Sequence, residues 1–232
     1  MVVPVLGEAK SLRAEKLLAT VEKTELYTED LVRLSKELEG KTLDDAINIL
    51  SKEKVKNLAS NLTGSLKTIY DDLIKYGYKT TDDGAEIIFK NADNLPIAKI
   101  SDDALHIKIP YDNGWATQSK TTLSSTIYNT INTERKVYRL GRLNVSQAGE
   151  AQYWSPENPM SFSKIEDYAE KYGVPIDRLK GNDKFIIIGE VQEGAIMISR
   201  PAVPYGGSSG GGIEIVTTPT SVKMESFHTE LV

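Results

Sequence analysis

The chain has 232 residues, 40% hydrophobic and 26% charged, a balance that excludes a disordered chain, a collagen-like fibre and a coiled-coil rod. Its net charge of −5 argues against a protein whose main work is coating nucleic acid, because phosphate binding needs basic surface. The absence of cysteine excludes disulfides, zinc–thiolate sites, iron–sulfur clusters and a cysteine nucleophile, and with only His106 and His228 present a site needing three His ligands is excluded. No stretch approaches 18 consecutive apolar residues, so no membrane span is expected. The apolar run at residues 1–6 is too short for the core of a signal peptide.

Residues 8–76 read as helical. Residues 10–38 are rich in Leu, Glu, Lys and Ala, with no Pro or Gly before Gly40. Thr42 is the expected N-cap of a second helix, with Asp44 and Asp45 at its positive end. Ala46, Ile47, Ile49 and Leu50 supply apolar side chains, and Ser51 is expected to restart a helix carrying Val55, Leu58, Ala59 and Leu62. Ser65 is expected to cap the clearest helix. Its Leu66, Ile69, Tyr70, Leu73 and Ile74 fall on one face, and Gly77 is its stop. Helices this short must pack together to persist.

The period then changes toward two. Residues 85–90, 96–101 and 104–110 read as three strands of a meander, with breaks at Asp82-Asp83-Gly84 before the first and at residues 91–95 and Asp102-Asp103 between them. Residues 111–133 contain Asn113-Gly114, many Ser and Thr and little charge, and read as a linker or an entry into the second half. Further on, residues 136–143 are a strand. Residues 163–172 are a helix, with Ser163 and Glu166 in capping-box spacing and Gly173 as its stop. Residues 185–191 and 195–200 are an expected hairpin around Glu193-Gly194. Residues 206–212 are a flexible Gly/Ser loop, and residues 213–217 and 222–227 are two more strands. The expected organisation is a helical plus β-meander accessory domain at 1–112, a linker at 113–134 and a second domain at 135–232.

Four features of the second half bear on chemistry. Arg139 and Arg142 lie on and just after a strand, where a guanidinium can fork onto a phosphate or carboxylate. Alternation puts Arg139 on the face opposite Tyr138 and Leu140. The run Gln152-Tyr153-Trp154-Ser155-Pro156-Glu157-Asn158 joins two aromatics, able to stack on a planar ring, to a hydroxyl. The same residues suit a core pair followed by a turn. Residues 201–212 end in Gly210-Gly211-Gly212, a composition that lets backbone approach a ligand closely, but there is no P-loop lysine and no following helix, which excludes nucleoside-triphosphate binding of that type. Glu214 sits between Ile213 and Ile215, and so faces away from both. On an open strand that is the wet face. In a cleft it is a carboxylate with a raised pKa or a cationic partner.

The order strand arginine, aromatic-aromatic-Ser, helix, hairpin, Gly-rich loop and strand glutamate resembles the ADP-ribosyltransferase-like domains that close many bacterial polymorphic toxins. These include NAD-glycohydrolase toxins of the tuberculosis necrotizing toxin type. The resemblance covers roughly residues 134–228. It implies an α+β chain whose N-terminal helical segment and small β-meander precede a C-terminal split β-sandwich holding NAD between two sheets. By this resemblance Arg139 holds the NAD phosphates, with Arg142 or Arg200 as seconds. Tyr153, Trp154 and Ser155 line the nicotinamide pocket, and Glu214 directs the chemistry, with Arg139 and Ser155 beside it. Two departures stand out. The family's Ser-Thr-Ser is here Tyr-Trp-Ser, and Gly212 stands where a paired acid or amide would precede Glu214. The missing upstream residue shifts weight toward NAD hydrolysis, or transfer to an unnamed protein or nucleic-acid acceptor. NAD is then the substrate, and the chemistry requires no metal. A cognate immunity protein and delivery into the cytoplasm of a target cell are implied with it.

Two other readings remain open. A metal-independent nuclease would use His228 as base with Arg139, Arg200 or Lys223 on the phosphate. A non-catalytic module would use the Gly-rich loop and aromatics to contact a partner.

Overall fold

The computed structural model describes residues 43–83, 86–109, 114–148, 151–179 and 183–229. The expected helix over 10–38, Gly40 and the Thr42 cap lie outside them. The chain is mixed α and β with antiparallel sheets, and it divides into two compact units, Met1–Asp102 and Asp103–Val232.

The first unit contains helices α1 (Leu43–Ser60) and α2 (Gly64–Lys75) and strands β1 (Lys79–Asp83), β2 (Glu86–Lys90) and β3 (Pro96–Ser101). Helix α1 runs through Ser51 without the expected restart, because no Pro or Gly interrupts 43–60. Ser65 is not the cap of α2. Thr63 occupies the N-cap, and its side chain makes no capping bond. Gly77 does end α2, at φ 83°. The Gly77 amide donates to Ile74 O and that of Tyr78 to Leu73 O, which satisfies two orphan carbonyls of the last turn. Strand β1 is not predicted by pattern, since Lys-Thr-Thr-Asp-Asp carries no apolar alternation. It pairs with β2 over all five residues. Ile87 and Phe89 of β2 are buried while their neighbours are half exposed, the period-two pattern of a one-sided sheet. Tyr70 of α2 lies against Phe89, ring centroids 6.2 Å apart.

The second unit begins with β4 (Ala104–Lys108) and β5 (Trp115–Thr117), which pair antiparallel. Helix α3 (Thr122–Glu134) follows. Residues 113–134 therefore carry a strand and a helix in place of the expected linker. The Ser/Thr-rich composition hides the helix, because these residues have weak helix propensity. Here Thr121 caps it by accepting from the Ser124 amide. Thr126, Thr130 and Thr133 return their hydroxyls to carbonyls four residues back. Ile127, Tyr128 and Ile131 supply the apolar face.

Two three-stranded sheets form the rest, with orders β7-β10-β9 and β11-β8-β6. They use β6 (Lys136–Arg142), β7 (Tyr153–Trp154), β8 (Lys184–Val191), β9 (Met197–Pro201), β10 (Ile213–Thr217) and β11 (Val222–His228). The expected hairpin of 185–191 with 195–200 does not form. Both edges of β8 are taken, by β6 and by β11, so the turn at 192–194 carries the chain to the other sheet. One bridge, Tyr138 to Ser155, joins β6 to the end of β7.

Val137, Trp154, Phe185, Ile187 and Ile215 fill the main core with Ile131 of α3. Helix α4 (Ile165–Lys171) packs its Tyr168 and Ala169 on Leu140 and Ile186, the other side of β6 and β8. Lys164, not Ser163, is the N-cap of α4, and it makes no side-chain capping bond, so the expected capping box is absent. Trp154 is only 2% exposed, and its indole N–H donates to Ala151 O at 2.9 Å. It is a core residue rather than a pocket wall. Trp154→Ala is expected to cost about 3–5 kcal/mol of stability, read as a shift of the urea midpoint at unchanged slope. A loss under about 0.5 kcal/mol would show that Trp154 is not core.

Candidate functional site

Strand register assigns the faces. On β10, Glu214 stands opposite Arg200 of β9, and Val216 opposite Tyr153 of β7. Alternation therefore places Glu214, Arg200, Tyr153 and Val216 on one face, and Trp154 and Ile215 on the core face. Ser155, one residue beyond Trp154, belongs with Glu214.

Glu214 is buried, and Arg200 Nε donates to its Oε1 at 2.9 Å. The two side chains retain 8% and 17% exposure, so water reaches the guanidinium more readily than the carboxylate. Burial pushes the Glu214 carboxyl above its ordinary range, and the charge and hydrogen bond of Arg200 oppose that rise without cancelling it. The Arg200 guanidinium also lies over the Tyr153 ring, 5.9 Å from its centroid, within cation–π range. The sequence signal for this pair is weak, since it marks Arg200 only as a secondary anion ligand.

The structure does not bring Arg139 to Glu214. Arg139 leaves β6 on the side of Val137, as alternation requires. Its Nε donates to Gln147 O at 3.0 Å and its Nη1 to Tyr153 O at 2.8 Å. Tyr138 and Ser155 exchange both backbone bonds of their bridge, and beyond it the Arg139 guanidinium supplies the donor that Tyr153 O faces. These contacts make Arg139 a tie between strands. Arg142 lies at the end of β6, with its Nε 2.7 Å from Asp183 Oδ2.

Ser155 is buried, and its hydroxyl lies 2.6 Å from the Tyr168 hydroxyl and 2.8 Å from Glu157 O. With one proton to give, Ser155 donates to the carbonyl and accepts from Tyr168. Burial lifts the Tyr168 hydroxyl pKa well above normal. The Ser155 bond and the Arg139 charge lower it, and the Glu157 and Glu214 charges raise it. Tyr168 thus feels both ends of the expected Arg–Glu pair. Glu157 accepts from Lys171 Nζ and from Tyr172 OH, each at 2.7 Å on Oε2. Burial raises its carboxyl, but the hydrogen bonds from Lys171 and Tyr172, with the lysine charge, together hold it below the ordinary 4.5. Sequence reasoning misses Tyr168, Lys171 and Tyr172, although the i, i+4 tyrosines are a visible signal for one helix face.

Depression of the Glu157 pKa stabilises the fold at pH values above the unfolded carboxylate range. That contribution is lost as pH falls through its lower folded value. Glu157→Gln is therefore expected to flatten the fall of Tm between about pH 5 and pH 3. An unchanged acid slope would remove Glu157 from the network.

The Gly-rich loop is docked rather than free. The amides of Gly210 and Gly212 donate to Glu170 O and Lys171 O, each at 2.9 Å, capping the carbonyls that end α4. Ser208 Oγ donates to Val174 O, and Ser209 Oγ meets Glu170 Oε1. A Cβ at Gly212 would lie 2.6 Å from Lys171 Cγ and 2.9 Å from Lys171 O. The glycine permits contact between two stretches of this chain, in place of the expected contact with a ligand. Gly212→Ala is expected to cost about 1–3 kcal/mol and to disturb Glu214 two residues on. Full stability by thermal melt would contradict the docking.

His228 lies on β11 with its Nε2 3.0 Å from Ser226 Oγ, in the sheet that does not contain Arg200. Lys223 is five residues away along the same strand, roughly 17 Å at about 3.3 Å per residue. Arg139 shares the sheet of His228, but it pairs with Ile187 where His228 pairs with Ile186, and so sits on the other face. His106 Nδ1 lies 2.9 Å from Thr117 Oγ1 across the β4–β5 pair. Among the described residues, no group of three or more His, Cys, Asp or Glu could hold a metal, and no helix is long and apolar enough to cross a membrane. No protein-family model, curated protein or solved structure matches the chain.

Proposed function

We propose that the second unit is an NAD-consuming domain of ADP-ribosyltransferase-like type that cleaves the nicotinamide–ribose bond, acting as a toxin effector. The observation that supports this best is the buried Glu214 carboxylate, paired with Arg200, on one sheet face with Tyr153 and Ser155. The two small antiparallel sheets joined at Tyr138–Ser155 agree with the implied split β-sandwich.

Breaking the bond sends its electron pair to the nicotinamide, which leaves neutral. Positive charge develops on the ribose, and water or another acceptor then bonds to the same carbon and gives up its proton to solvent. A fixed carboxylate beside that carbon interacts more strongly with the cationic transition state than with the ground state. Glu214 takes that role in its ionised form. Arg200 takes the diphosphate in place of Arg139, and Tyr153 offers a ring face to the nicotinamide. Ser155, held by Tyr168 and Glu157 O, fixes the strand end beside Glu214. The target macromolecule, an immunity protein and delivery into a target cell's cytoplasm belong to the same proposal. The test is nicotinamide release from NAD by the wild type against Glu214→Gln. Release that is equal in both proteins would overturn the assignment.

A further inference from the structure

We infer that the Arg200–Glu214 contact is a ligand-opened latch: a diphosphate-bearing ligand takes the Arg200 guanidinium from Glu214 and so leaves the carboxylate uncompensated for the reacting ribose. This rests on the function proposed above and adds to it a competition between two anions for one guanidinium.

Three observations carry it. First, the other guanidiniums expected at the site are committed elsewhere, Arg139 to two backbone carbonyls and Arg142 to Asp183. Second, Arg200 offers Glu214 one bond through Nε, whereas a diphosphate can engage a guanidinium through two parallel N–H donors. Third, Arg200 is the more exposed partner of the pair, 17% against 8%, and rests over the half-buried Tyr153 ring. An anion arriving from water meets the guanidinium first, and Tyr153 supports the side chain as it swings. Of the other cations nearby in the fold, Lys171 is paired with Glu157 and Arg139 is bonded to Tyr153 O. Neither is a salt-bridge partner of Glu214 at 2.9 Å as Arg200 is.

Such a latch has a signed consequence. While Glu214 holds Arg200, part of the ligand's binding free energy is consumed in separating the pair. Removing the acid removes that cost. By reciprocity, a bound anion must weaken the hold of Arg200 on Glu214 by the same factor.

The test is calorimetric titration with inorganic pyrophosphate, which carries the diphosphate without the nicotinamide. Glu214→Gln is expected to tighten pyrophosphate binding about 5- to 100-fold, the usual span of such couplings. Arg200→Gln is expected to abolish it, and in the Arg200→Gln background Glu214→Gln should change nothing. Unchanged affinity in Glu214→Gln would overturn the latch, as would tightening that persists without Arg200. Should a variant fail to fold, the wild type still decides. Pyrophosphate must move the carboxyl carbon resonance of Glu214, and a static resonance at saturation overturns the proposal. Coupling without any nicotinamide release would keep the latch and overturn NAD cleavage. Nicotinamide release without coupling would keep NAD cleavage and overturn the latch.

Discussion

Glu214→Gln is expected to lower the rate of nicotinamide release by about 10²- to 10³-fold, the scale for losing one preorganised electrostatic group. Glutamine keeps the size and one acceptor oxygen, so the loss reports charge rather than shape. The variant also leaves Arg200 facing a neutral amide, but that guanidinium keeps access to water, so near-UV circular dichroism should remain native. The wild-type profile carries a second signature. The Glu214 carboxyl is raised above 4.5 by burial, against the pull of Arg200. It must be ionised to act, so activity should fall on the acid side with an apparent pKa above that value. The same raised pKa means its contribution to stability is greatest at low pH and is lost as pH rises through the folded value. Activity and stability should therefore move in opposite directions across that window. An acid limb at 4.5 or below would contradict the burial argument.

Arg139→Ala is expected to act on the fold. Its guanidinium satisfies Gln147 O and Tyr153 O at the point where β6 and β7 part. Removing it leaves two part-buried carbonyls without those donors, at about 1–3 kcal/mol each, which sums to roughly 2–6 kcal/mol where water cannot enter. Chemical denaturation should show that loss, and Arg139→Lys should recover less than half, because one ammonium cannot span both carbonyls in the guanidinium's fixed fork. If Arg139→Ala instead keeps wild-type stability and loses only NAD affinity, the strand-tie role is wrong and the anchor role suggested by the resemblance returns.

Much of the fold is legible where apolar periodicity is strong. Residues 96–101 and 213–217 form strands with the expected bounds, because β-branched and apolar residues there are bracketed by turn chemistry. The polar strand β1 and the Ser/Thr-rich helix α3 are not legible that way. Pairing with β2 defines the first, and hydroxyl back-bonding plus Ile131 in the core define the second. Neither leaves a local pattern. The hairpin expected after Val191 fails for a related reason. Which strands flank β8 is decided by partners about 50 residues before it and about 35 after it in sequence.

The candidate site divides in the same way. Alternation alone places Glu214 away from the two isoleucines and Arg139 away from Tyr138, and both placements stand in the structure. Alternation does not say that those faces oppose each other. That follows from the Tyr138–Ser155 bridge, which fixes the phase of β6 against β7 and β10. Arg200 is the guanidinium that stands opposite Glu214, and only the β9–β10 register shows it. The glycines at 210–212 carry a true signal of close backbone approach. The approaching backbone is the end of α4.

The most direct test is free nicotinamide measured after intact wild-type protein is incubated with NAD, using Glu214→Gln at equal concentration as the blank. The account predicts nicotinamide accumulating in step with NAD loss in the wild type and close to background in the variant. Intact NAD in the wild-type reaction, with the protein folded and at a concentration that saturates pyrophosphate binding, would contradict it.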